Sequence, residues 1–294
     1  VNPDDINPAA MLRARAEAAS AVLPPLQLAR GPVAATVAPG GHGLRRPGQG
    51  EDFWQYRPAH EADTARSIDW RRSARGDAQF VRDRERQTAR SAAIWIGSGA
   101  GMGYAGQKPG GESKFDRAKL LGLSLALSLI RAGERVALLG QKPGGGAVQA
   151  ERLSHDLAGL PLSRLDLDAP DAAAARSGRI AILIDDFLFE NNDLISFLNA
   201  VSGLGSGGVM LQILHPDEED FPFGGAVRFE TAGGIRHATR DAEGLRDAYR
   251  NRLEARREAL ARMAGQAGFV FGTHDLGRPS SEALIWLHGV LSAR

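Results

Sequence analysis

Residues 91–106 read SAAIWIGSGAGMGYAG, an apolar strand pattern that runs straight into a glycine-rich loop. A helix pattern starts near Lys114 and contains the apolar run LLGLSLALSLI at 120–130. Strand, loop and helix in that order form the first unit of an alternating α/β chain, and the rhythm recurs downstream. Strands are expected at 92–97, 135–140, 146–150, 179–185, 208–214 and 268–271, with helices near 114–132, 151–159, 190–203, 241–264 and 281–292. Runs such as RVALLG, IAILID and VMLQILH are apolar almost throughout, as strands buried on both faces are. The fold expected is therefore α/β, a doubly wound and mostly parallel sheet with helices on both faces. A hairpin pattern, VRFE then IRHAT within 227–239, interrupts the alternation after the fifth strand.

This body is expected to occupy 91–294. The segment 1–90 is expected to supply a helix over 8–22, ended by Pro24 and Pro25, and a small β-rich, arginine-rich extension. Among 294 residues, 36 Lys and Arg balance 35 Asp and Glu, so the net charge of +1 points to no polyanionic partner. The absence of cysteine excludes disulfides, thiolate zinc sites and cysteine nucleophiles. The longest apolar run, at 120–130, is about half of the roughly 20 residues a membrane span needs. The opening VNPDDINPAAMLRARAEAAS has no signal-peptide core, and a cytoplasmic location is expected.

A loop after the first strand of a parallel sheet lies at the carboxyl edge, where such folds bind ligands. Gly101, Gly103 and Gly106 match the G-x-G-x-x-G spacing of dinucleotide sites. The context fails: more loop follows before the helix, and the second strand ends in Gly140 and Gln141 without an acid for a ribose. No G-K-[ST] follows either, since neither Lys108 nor Lys114 is preceded by glycine.

The order of elements resembles a von Willebrand factor A domain. That family carries D-x-S-x-S in this loop, hard oxygen ligands for magnesium, and a further Asp after a later strand. With Met102 set on the usual following methionine, the ligand positions fall on Gly97, Gly99 and Gly101, none of which has a donor. Asp186, in ILIDDF, takes the place of the later Asp, Ser98 offers a neighbouring hydroxyl, and no threonine between Val136 and Leu153 supplies the middle ligand. The reading is a degenerate metal-site loop (Gly97, Ser98, Gly99, Gly101 and Asp186) with no metal and no cofactor expected. Asp185 and Asp186 are expected to cap the next helix and solvate the strand end.

The segment GEDFWQYRPAHEADTARSIDWRRSAR, 50–75, carries a more specific resemblance. Gly50, Phe53, Arg57, Asp63, Arg66, Ile68, Asp69, Trp70, Ser73, Ala74 and Arg75 match the signature of the bacterial family known as domain of unknown function 58, with Ala62 replacing a usual glycine. The resemblance extends from about Gly31 to Arg294. It implies a von Willebrand A-like domain that works beside a MoxR-type AAA+ ATPase as an adaptor in assembly or maturation of partner proteins.

From Arg57 to Arg90 nine arginines face six acids. Charge-assisted pairs such as Arg66 with Asp69 would lock this irregular segment, with Trp70 as a buried anchor. In the alternative, Arg57, Arg66, Asp69, Trp70, Arg71 and Arg75 form an exposed partner-binding patch, since arginine and aromatics are enriched at binding hot spots. Nucleic-acid binding is a third reading, which the interspersed acids disfavour; no nucleic acid is expected as a partner, and nothing indicates a small-molecule ligand. The seven histidines match no metal or hydrolase motif. The best catalytic set that can be composed is Asp185 or Asp186 with His215, His274 and Ser98, a degenerate hydrolase held as an alternative to a non-catalytic interaction module.

Overall fold

A computed structural model describes residues 7–21, 23–28, 47–58, 70–73, 80–85, 91–107, 110–165, 168–188, 192–230 and 236–293, of which 47–58, 71–72 and 80–85 are described as backbone only. The chain divides into two compact units, Val37–Ala89 and the remainder. In the smaller unit β1 (Pro47–Pro58) pairs antiparallel with β2 (Phe80–Glu85), and a short helix α2 (Trp70–Ser73) lies between them in sequence. The β-rich character expected of this segment is present. Trp70, however, opens a helix and is 57% exposed, where an anchor would be buried.

The larger unit holds a five-stranded sheet in the order β4-β3-β5-β6-β9: Arg135–Leu138, Ser91–Ile96, Arg179–Asp185, Gly208–Leu214 and Phe269–Asp275. All four pairings are parallel. The order reverses direction at β3, and the crevice at such a switch point, outside the carboxyl ends of the strands, is where doubly wound sheets place their sites. The arrangement is the doubly wound α/β fold expected, and it is consistent with a von Willebrand A-like domain.

Side-chain alternation splits the core into two layers. Ile180, Ile182 and Ile184 of β5 join Val209, Leu211 and Ile213 of β6 beneath α3 (Lys114–Arg131) and α8 (Ser280–Ser292). Ala181, Leu183 and Met210 face the other way, toward α5 (Asn192–Gly203) and α7 (Arg246–Gln266). Helix α3 explains the apolar run of the sequence: it lies between the sheet and outer helices, so its residues are buried almost all round, as a helix without a polar face must be. The outer cover is α1 (Pro8–Ser20) and α4 (Gly146–Ala158). Thus α1 belongs with the α/β body, although the sequence grouped it with the extension. Among the described residues no helix is long and apolar enough to cross a membrane.

Two elements differ from expectation. The strand expected at 146–150 is the first turn of α4, because the chain turns at Gly140 (φ +84°) and doubles back on β4 through a single bridge between Val136 and Gly144. The run AVQA is too short for its period to separate strand from helix. A one-turn helix, α6 (Pro216–Asp220), follows β6 with Pro at its start and a capping box between His215 and Glu218. The hairpin forms from β7 (Val227–Glu230) and β8 (Arg236–Thr239).

Candidate functional site at the carboxyl edge of the sheet

Strand β3 ends at Ile96, and Gly97 continues its pairing by donating its N–H to the Ile184 carbonyl at 2.9 Å. A Cβ on Gly97 would lie 1.9 Å from Asp185 Oδ1, so the Asp185 carboxyl occupies the space a side chain at 97 would need. Gly101 is less constrained, its ideal Cβ standing 3.0 Å from Asp186 Oδ2. The glycines therefore follow from the carboxylates of β5: residue 97 has no side chain because its neighbour strand fills the site.

The rest of the loop is closed by hydrogen bonds. Ser98 donates both its N–H and its hydroxyl to Asp168 Oδ2, at 2.7 and 2.8 Å. Ser163 N–H donates to the Ser98 carbonyl and Ala100 N–H to the Leu165 carbonyl, at 2.7 and 2.8 Å. Met102 and Tyr104 amides turn back onto Gly99 and Gly101 in a 3-10 turn. A phosphate cradle needs amide hydrogens aimed at open space. Here Asp168 and the chain's own carbonyls already take the amides of Gly97, Ser98, Ala100, Met102 and Tyr104.

The centre of the site is a cation that belongs to the chain. Lys114, the first residue of α3, is fully buried. Its Nζ donates to Asp186 Oδ2 at 2.8 Å and to Glu218 Oε1 at 2.6 Å. Burial alone would lower the lysine pKa, but the two carboxylates, Asp186 foremost, outweigh it and raise the value, so the group is an ammonium. Glu218 is held above the usual carboxylate range by burial, which outweighs the pull of Lys114. Asp185, beside them and fully enclosed, is pushed well above that range by burial and then by the charge of Asp186, which favours its neutral form.

Local turns aim these groups. Asp186 Oδ1 accepts from Leu188 N–H and Asp185 Oδ2 from Phe187 N–H, both at 3.2 Å, across a left-handed Phe187 (φ 48°). Gln212 holds the Asp186 carbonyl at 2.8 Å, and Arg257 of α7 holds Gln212 and pairs with Glu219. On the outer side Tyr104 donates to Asp217 Oδ2 at 2.9 Å and meets the His215 ring edge-on.

These residues do not fit a magnesium ion. The three loop positions offer no donor, the carboxylate after β5 is committed to an ammonium, and no group of three or more His, Cys, Asp or Glu suited to a metal exists among the described residues.

Among the expected site residues, Asp186 lies in this centre, Gly101 stands against Asp186 and Gly97 against Asp185, while Ser98 bonds to Asp168 and Gly99 opens the 3-10 turn. The expectation that Asp185 and Asp186 solvate the strand end is corrected: both are buried, one behind Gly97 and the other against Lys114. The composed hydrolase set is not brought together. Ser98 hydroxyl faces Asp168, His215 Nδ1 accepts from Asp217 N–H, and His274, inside β9, accepts from Arg117 at 2.8 Å. Buried and facing that guanidinium, His274 has its pKa lowered to about 4. Of the arginine-segment residues, Arg66, Asp69 and Arg75 lie outside the described residues, as do the side chains of Arg57 and Arg71. Sequence reading missed Lys114, Glu218 and Asp168. The available signal was a lysine directly after the Ser113 cap, at the head of a helix whose later turns are apolar.

Fold and site together define a doubly wound α/β protein whose ligand edge is closed by an internal ion pair. The chain belongs to the family described as "Protein of unknown function DUF58", whose model matches residues 55–259, well over half of the 294. Among solved structures it is similar to the conserved hypothetical protein BatB of Bacteroides thetaiotaomicron, at 13% identity and a TM-score of 0.43 over 70% of this chain and 100% of that one. An aerotolerance-related membrane protein of Bacteroides fragilis is 14% identical with a TM-score of 0.41, over 68% of this chain and 99% of that one. No curated protein matches the chain.

Proposed function

We propose that the protein is a non-catalytic, cytoplasmic interaction module, an adaptor that docks a MoxR-type AAA+ ATPase through the carboxyl edge of its sheet. The observation that carries this reading is the Lys114 ammonium between Asp186 and Glu218. A site that holds its own cation is complete without a metal and offers no vacant coordination position to an acidic side chain of a partner. Contact must then rest on the surface of the loops. Leu165 and Leu162, on the segment stitched to the glycine loop, are 70% and 42% exposed and supply apolar anchors there. The exposed Trp70 supports a second contact through the arginine segment, in preference to a purely structural role for it.

The test is retention of the ATPase. Tagged protein is purified from its host with a slowly hydrolysed ATP analogue, with and without a magnesium chelator applied at the washing step, and co-purifying proteins are identified by mass spectrometry. The reading requires a MoxR-type ATPase that survives chelation with Leu165 intact and is lost with Leu165→Ser. Recovery of no ATPase, or of nucleic acid instead, would overturn it.

A further inference from the structure

Three ionisable side chains from distant parts of the chain meet at a site where Lys114 and Asp186 are buried and Glu218 forms the partly exposed edge. Lys114 heads α3, Asp186 follows β5 and Glu218 lies in α6; the lysine Nζ is 2.8 Å from Asp186 Oδ2 and 2.6 Å from Glu218 Oε1. Lys114 is fully buried and Asp186 is 5% exposed. An amine, a carboxyl group and a second carboxylate able to carry a proton between them are the components of amide formation. We propose that Lys114 and Asp186 condense into an intramolecular isopeptide bond, with Glu218 as the proton carrier.

The step balances without any co-reactant. Glu218 relays one proton from the ammonium to Asp186, leaving a neutral amine beside a neutral carboxylic acid. The Nζ lone pair forms a bond to Cγ of Asp186, giving a tetrahedral adduct. Glu218 then takes a second proton from the nitrogen and passes it to the hydroxyl oxygen, whose bond to Cγ breaks. Ammonium and carboxylate become an amide and one water, and Glu218 ends as it began.

Two features of the site favour the step. Dehydrated charges are costly even when paired, and the amide replaces two of them by a neutral group. Groups held in contact react with effective molarities of roughly 10⁵–10⁸ M, which raises the rate of condensation. Glu218 suits the carrier's part because burial already favours its protonated form and because its second oxygen is fixed by the His215 N–H at 2.9 Å. Asp186 Oδ1 accepts from Leu188 N–H, a bond the amide oxygen can inherit. The link would tie the head of α3 to the end of β5 and so fix the floor of the glycine loop covalently.

Mass spectrometry of the intact wild-type protein decides the matter. The expected mass is lighter than the sequence mass by one water, and a protease digest should yield one branched peptide joining Lys114 to Asp186. Lys114→Arg, which keeps the charge, and Glu218→Gln, each checked for folding by circular dichroism, should run at full mass. A wild-type protein that stays at full sequence mass after prolonged incubation at neutral pH overturns the proposal. So does a water loss that maps to a succinimide at Asp186 without a branched peptide. Formation of the link in Glu218→Gln at the wild-type rate would remove Glu218 from the role assigned to it.

Discussion

Replacing Lys114 by Met keeps the length of the side chain and deletes its charge, leaving the buried Asp186 and the partly exposed Glu218 carboxylates without the cation they share. Two routes give the cost. Removing one partner of a buried ion pair destabilises proteins by about 3–5 kcal/mol. Alternatively, the site escapes by binding a proton: lifting one carboxyl from an ordinary value of 4.5 to 7 costs about 1.4 kcal/mol per unit, or roughly 3.4 kcal/mol. The agreement fixes an expected loss of about 3–4 kcal/mol at pH 7, a large share of the roughly 5–15 kcal/mol that holds a domain folded. The proton route also gives the loss a pH dependence. In the variant the folded state binds a proton that the unfolded state has released above pH 4.5, so the deficit is greatest at pH 7 and shrinks as pH falls toward 4.5. Urea unfolding of wild type and Lys114→Met at pH 7 and pH 5, with equal m-values as a control, measures it. The wild type is compared in its unlinked form, verified by intact mass, because a covalent link would replace the ion pair whose loss is being measured. A loss below about 1 kcal/mol at pH 7, or one that does not shrink on acidification, would refute the reasoning.

Other outcomes follow from the same contacts. Gly97→Ala drives a methyl group into Asp185, 1.9 Å away, and should cost about 1–3 kcal/mol; Asp185→Ala in the same chain should restore part of it, which a double-mutant cycle by urea unfolding reads as coupling. His274, neutral when folded with its pKa near 4 but ordinary when unfolded, should make the protein lose stability as pH falls from 6.5 toward 4. The loss is complete below that window, and His274→Gln should flatten the midpoint-versus-pH curve there. Leu165→Ser should leave the melting temperature nearly unchanged, since the side chain is 70% exposed, yet weaken binding to the proposed MoxR-type ATPase by about tenfold or more in a calorimetric titration.

The sequence was most informative where both faces of an element are buried. Strands β5 and β6 span the expected 179–185 and 208–214, RIAILID and GVMLQIL, because a parallel sheet covered on both sides demands largely unbroken apolar runs. The glycine loop was legible as a stretch whose residues at 97, 99 and 101 carry no side-chain donor for a metal. Its reason was not legible: Asp185 fills the space beside Gly97, a relation across strands that no local pattern records. The cation was hidden for the same reason. Lys114 meets Asp186 and Glu218 at separations of 72 and 104 residues, and a lysine at a helix start reads by default as solvated. Helix α6 was missed because a single turn has too few residues to show a period, and the strand expected at 146–150 failed on the same limit.

The claim that Lys114 fills this edge in place of a metal, whether as ammonium or as amide, is tested most directly by titrating the protein with magnesium and with manganese, read by calorimetry and by the shift in melting temperature, beside Lys114→Ala. The account predicts no saturable heat and no saturable shift for the wild type at millimolar ion. In the variant, where Asp186 and Glu218 are left without a partner, it predicts a saturable rise in melting temperature. Stoichiometric binding by the wild type, abolished by Asp186→Asn, would contradict it.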